Sequence, residues 1–179
     1  MNFTPILIDV RGLQRFTLSD AAHGVVIDIN GFGARHRVAW PAAPVDDAFL
    51  FLDRNGNALF DSAAELFGNT TPLVSGRYPS NGYEALAELD SNRDGWIDDS
   101  DSLWRNLRLW RDGNRNGISE PAELVPLHAV GIMRLSVEAR EARRQDGNGN
   151  RFILRARVAA ENAPKVRFSY DVILATVRP

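Results

Sequence analysis

Two windows whose first residues are Asp90 and Asp112, DSNRDGWIDDSD and DGNRNGISEPAE, set an acid or amide at alternate positions, then a glycine, then a closing carboxylate. Both match the twelve-residue calcium loop of an EF-hand, whose oxygen ligands fall at positions 1, 3, 5, 7 (a backbone carbonyl), 9 and 12, with glycine at 6 for the turn. The first window supplies Asp90, Asn92, Asp94, the carbonyl of Trp96, Asp98 and Asp101, turning at Gly95. The second supplies Asp112, Asn114, Asn116, the carbonyl of Ile118, Glu120 and Glu123, turning at Gly117. A calcium ion takes six to eight oxygens at about 2.3–2.6 Å, and a tightly wound loop presents alternate side chains inward. Glu123 can close with both oxygens; Asp101 is shorter, which predicts a different affinity or calcium-over-magnesium preference for the first loop.

Asp, Asn and Gly are also ordinary turn residues. Against a turn-only reading stand two complete matches and the repulsion among four carboxylates held in one loop without a counter-ion. A third window, DRNGNALFDSAAE, offers Asp53, Asn55, Asn57, the carbonyl of Leu59 and Asp61, but Ala58 occupies the glycine place and Ala64 the twelfth, so Glu65 closes a longer loop. A left-handed alanine costs roughly 1–2 kcal/mol. DGNGN at 146–150 is predicted to be a hairpin tip, and DINGFG at 28–33 a turn, since Phe32 stands where a third oxygen is needed. His23, His36 and His128 show no ligand spacing, and Trp96, Trp104 and Trp110 are predicted core.

Around these loops the 179-residue chain is 44% hydrophobic and has no cysteine, which excludes disulfides and thiolate metal sites. There is no apolar run long enough for a membrane span, and MNFTPILIDVRG lacks the order of a secretory signal, so a soluble chain with no visible Sec-type signal is expected, its localisation cytoplasmic or export by another route. The net charge of −2 conceals an acidic middle, Asp46 to Glu123, and an arginine-rich end, 134 to 167; Lys165 is the sole lysine. Without a basic run interleaved with aromatics, no nucleic-acid partner is expected. No nucleophile elbow, phosphate loop or dinucleotide fingerprint is present.

The runs TPILIDV, GVVIDI, HRVAW and AFLFLD predict short strands. SNGYEALAEL (Tyr83, Leu86, Ala87), SLWRNLRLW (Leu103, Trp104, Leu107, Trp110) and SEPAELV, with Ser119 as N-cap, predict three central helices, the second shared by the two calcium windows. Phe152, Leu154, Ala156, Val158 and Val166, Phe168, Tyr170, Val172 alternate, predicting a hairpin with one broad buried face. The expected fold class is α+β: one domain, 1–179, in which residues 1–52 are strand-rich, 53–128 form an EF-hand-like helical region and 129–179 supply C-terminal strands.

The stretch from LFLDRNGNALFDSAAELFG through NGYEALAELDSNRDGWIDDSDSLWRNLRLWRDGNRNGISEPAEL resembles the calcium-binding module of large bacterial RTX proteins, including the self-processing module of the iron-regulated ones. The likeness runs from about Pro5 to Leu174 and is most specific between Asp46 and Leu124. It implies a module folded by calcium. In self-processing members it also implies cleavage of an Asp-Pro bond, the Asp carboxylate attacking its own carbonyl to give an anhydride. Here the equivalent junction is Thr4-Pro5, and threonine has no carboxylate to form the anhydride. Of the acidic run that follows in such members, Asp9 and Gly12 survive while Arg11 and Leu13 replace two ligands, and a cut four residues from the start would release almost nothing. The expectation is a non-enzymatic calcium-binding protein without self-cleavage. A dockerin-like module gripping a protein partner through calcium-ordered helices is the alternative, and a calcium-triggered self-processing module a third.

Overall fold

The apolar runs of this chain become strands in chain order: Ile6–Asp9 (β1), Val25–Ile27 (β2), His36–Val38 (β3) and Asp47–Leu52 (β4). The one α-helix among the described residues, Gly82–Leu86 (α1), continues into a 3-10 turn at Ala87–Leu89. Trp96–Ile97 (β5), Leu107–Trp110 (β6), Leu124–Pro126 (β7), Ile132–Ser136 (β8), Arg140–Gln145 (β9), Arg151–Ala160 (β10), Arg167–Ile173 (β11) and Thr176–Val177 (β12) complete the order. The structure, a computed structural model, describes residues 3–42, 46–162 and 166–177; Ala43, Pro44 and Val45 of the segment before β4, and Lys165, lie outside the described residues.

A large curled sheet runs in the order β5-β8-β10-β11-β1-β4-β6-β7, with β9 pairing β10, and a small sheet in the order β12-β3-β2; every described pairing is antiparallel. The centre of the large sheet is buried on both faces, which is why ILI and AFLFL are apolar without interruption. Ile6, Ile8, Ala48, Leu50, Leu107 and Leu109 face a core shared with Tyr83 and Leu86 of α1. The alternate residues Leu7, Phe49, Phe51 and Trp110 face a second core with Val25, Ile27, Val38 and Trp40 of the small sheet and its flank. Each fully buried side chain of this size contributes about 1.5–3 kcal/mol relative to exposure.

The α+β expectation with central helices is overturned: the protein is mostly β, with one short helix. SNGYEALAEL does form α1, capped by Asn81, which accepts from the amides of Tyr83 and Glu84. SLWRNLRLW is only a 3-10 turn at Trp104–Asn106 followed by β6, where Leu109 lies opposite Leu50 and Trp110 opposite Phe49. Its apolar spacing suits a helix face, but a strand buried on both sides needs apolar residues at neighbouring positions too, and tertiary pairing decides. SEPAELV is likewise a 3-10 turn, Pro121–Glu123, leading into β7; its N-cap is Glu120, not Ser119. The predicted C-terminal hairpin is present, β10 against β11, but a bulge between Phe152 and Leu154 switches faces. Phe152 therefore enters the core beside the small sheet, while Ala156 and Val158 enter the other. DGNGN is a hairpin tip between β9 and β10, held by Asp146 Oδ1 accepting from the amides of Asn148 and Asn150.

Candidate functional site

The three oxygen-rich windows share one backbone. In each, the first Asp accepts the amide of position 5 on Oδ1 and that of position 6 on Oδ2: Asn57 (3.2 Å) and Ala58 (2.8 Å) on Asp53, which also takes Gly56 (2.7 Å); Asp94 (3.2 Å) and Gly95 (2.9 Å) on Asp90; Asn116 (3.1 Å) and Gly117 (2.8 Å) on Asp112. Positions 4 and 6 are left-handed in all three: Gly56 and Ala58, Arg93 and Gly95, Arg115 and Gly117. The closing carboxylate accepts the amides of positions 2 and 9, one on each oxygen. Glu123 takes Gly113 and Glu120, Asp101 takes Ser91 and Asp98, and Glu65 takes Arg54 and Asp61. Glu65 thus closes its loop from one residue further on than Glu123.

The same start recurs twice more. Asp9 accepts Leu13 and Gln14, with Gly12 and Gln14 left-handed, and Asp28 accepts Gly33, with Gly31 and Gly33 left-handed. These copies carry Arg11, Leu13 and Phe32 where side-chain oxygens belong, and do not fit a cation. In the first, Asp47 of β4 stands in for the closing carboxylate, accepting the Thr17 amide at 2.7 Å. Asp47 lies directly across from Asp9 in the β1–β4 pairing, buried, its Oδ1 without a partner. Burial first, then Asp9 and Asp46, push its carboxyl up to about 7 against the Thr17 amide and Arg144. Arg11 is drawn to Asp46 at 3.2 Å.

The donor set of the three full windows is all oxygen, as a hard cation requires. Side chains of positions 3, 5 and 9 meet in two of them: Asn114 and Asn116 both reach Glu120 Oε1, and Asn55 and Asn57 both reach Asp61. In the 90–101 loop Asn92 reaches Asp94. Glu120 Oε2 is buried with no partner, a carboxylate oxygen suited to an ion. Among the described residues no three His, Cys, Asp or Glu side chains gather as a ready metal cage; the converging groups are mixtures of carboxylate, carboxamide and main chain. The carbonyl-bearing residues Leu59 and Ile118 are exposed, whereas Trp96 pairs in β5 with Ser136 and lies under Arg134. Burial raises Glu65, and burial then the Glu120 hydrogen bond raise Glu123. Asn116 leads the contacts that lower Glu120. Asp101 is also lowered: burial, the largest single influence, raises it, but the hydrogen bonds from Asp98, Ser91 and Asn92 together outweigh burial.

Sequence reasoning missed three residues that tie the loops to the fold. The buried Trp40 donates its indole N–H to Asp112 Oδ2 at 2.7 Å and packs edge-on to Trp110. Ser119, expected as a cap, accepts the amide of Phe60 on its hydroxyl, and the Phe60 ring stacks on Trp110. For the two degenerate copies the available sequence signal was the glycine at position 4, Gly12 and Gly31, with Gly33 also at position 6 of the second.

At the N-terminal junction Thr4 is buried, exchanging hydrogen bonds with Asn69, and the Pro5 carbonyl accepts from Val172. Asp171 beside it accepts the Gly82 amide at 2.8 Å. Burial pushes the Asp171 carboxyl up to about 7 against that amide and the Thr4 hydroxyl.

No helix among the described residues is long and apolar enough to cross a membrane. A family model described as the SPM domain matches residues 6–175. Over 149 residues the chain is 38% identical to the iron-regulated protein FrpA of Neisseria meningitidis serogroup C, which covers 83% of this chain but 13% of FrpA.

Proposed function

Because the chain belongs to the SPM-domain family, we propose that it is a non-enzymatic calcium-binding module of the RTX type, whose 53–65, 90–101 and 112–123 loops couple ion binding to folding. The observation that carries this reading is the common backbone of the three loops: one amide-capped first Asp, two left-handed residues and one doubly bonded closing carboxylate. That frame holds the oxygens of positions 1, 3, 5 and 9 and of the closing carboxylate on short tethers. A bound ion would add its charge to a carboxylate-rich loop and stabilise the fold by about 2.7 kcal/mol per site at one hundred times Kd. Ion-ordered surface would then be available to a protein partner. The dockerin-like alternative needed a loop and helix in duplicate, and residues 104–110 form a turn and a strand instead. Self-cleavage is set aside because Thr4 supplies no carboxylate of its own.

The test is a calcium titration of the chelated protein by tryptophan fluorescence and circular dichroism, with Asp90→Ala and Asp112→Ala alongside. A saturable change, reduced in each variant, is expected. No response up to several millimolar sinks the reading. Intact mass after calcium addition is expected to stay constant; loss of an N-terminal fragment would instead reveal cleavage.

A further inference from the structure

Position 8 is where each loop meets the rest of the molecule, and the three loops meet different things. In the 90–101 loop, position 8 is Ile97, which pairs in β5 with Leu135 of β8. In the 53–65 loop it is Phe60 and in the 112–123 loop it is Ser119, and these two bond to each other, the Phe60 amide donating to the Ser119 hydroxyl. Both loops also rest on one platform, the strand β2 and the turn after it. A Cβ on Gly117 would stand 2.4 Å from Val25 Cγ1, and one on Gly31 would stand 3.0 Å from Ala63 Cβ, just past Asp61. The Phe60 ring lies against Trp110, which also packs on Trp40, the donor to Asp112. The sequence placed the 90–101 and 112–123 loops together around a shared helix; the fold puts β5 and β7 at opposite ends of the large sheet's order and joins 112–123 to 53–65.

We infer that the 53–65 and 112–123 loops form one coupled cation-binding unit, while the 90–101 loop binds on its own. This rests on the calcium reading above. The mechanism is local. Filling either loop fixes its position 8, and the Phe60–Ser119 bond and shared platform hand that order to the other, which then spends less conformational entropy on binding. Coupling of this kind is reciprocal and is typically worth about 5–150-fold in affinity.

The experiment follows the amide resonances of Ala58, Gly95 and Gly117, one per loop, as calcium is added to the chelated full chain. In Glu123→Gln the calcium midpoint at Ala58 should rise at least about fivefold while that at Gly95 holds. In Ser119→Ala, which keeps every proposed ligand, the Ala58 and Gly117 midpoints should rise and titrate independently. Three responding loops with an unmoved Ala58 midpoint in both variants would overturn the coupling and leave the calcium reading standing. An equal shift at Gly95 would overturn it too, showing whole-fold ordering instead of a pair. Silence at all three amides in the wild type would remove the calcium reading itself. Should Glu123→Gln fail to fold, Ser119→Ala decides the matter.

Discussion

At the residue scale, the position-6 backbone is the sharpest constraint in these loops. Gly95 and Gly117 adopt a positive φ without a Cβ penalty, whereas Ala58 holds φ 58° in the same place. Ala58→Gly should therefore stabilise the folded chain by about 1 kcal/mol even after the extra flexibility it gives the unfolded one. Urea unfolding of chelated protein measures it, and a destabilised variant would mean the alanine is not strained. The loop spacing was legible in the sequence because metal-type loops repeat polar residues at fixed intervals. Trp40 was not legible: its indole lies 72 residues from Asp112 in the chain, and nothing local marks an apolar residue as the donor to a loop aspartate.

At the scale of elements, short apolar or alternating runs bounded by turn residues were read as the strands they are, including β1 and β4, which are buried on both faces. The C-terminal strands stood out by period-two runs, and the β9–β10 hairpin tip by its turn residues. β6 did not, because a strand buried on both faces carries apolar residues at neighbouring positions and can mimic a helical face. A helix and a strand here differ in what they ask of Leu103 and Leu109. A shared helix would let Leu103 join the buried stripe, whereas in the fold Leu109 is 0% exposed and Leu103 38%. Leu109→Ala should cost about 2–5 kcal/mol and Leu103→Ala under about 1. Comparable losses in thermal denaturation would restore the helix. The bulge between Phe152 and Leu154 was equally hidden, since it changes the facing of residues without changing their order.

For the molecule as a whole, the buried carboxyl of Asp47 sets a pH dependence. Its folded pKa, about 7, lies above the unfolded value near 3.9, so between these the folded chain holds a proton the unfolded chain has released. The associated stability is complete below about pH 4 and lost as pH rises through 7. The groups facing it are Asp9, Asp46 and Arg144, with Arg11 paired to Asp46. Asp47→Asn, which mimics the neutral acid, should match the wild type near pH 4 and exceed it by about 1–3 kcal/mol at pH 8. Tm measured across pH reads this, and a gap that does not widen with pH would reject it. Strand β1 lies between β4 and β11, with Ile6 opposite Asp171. For a chain emerging from a ribosome or a narrow export channel with β1 first, β1 can zip to β4 early, but its other edge stays open until Arg167–Ile173 has followed. The last long strand is therefore the clasp, and the molecule is vulnerable to mispairing and proteolysis until it arrives.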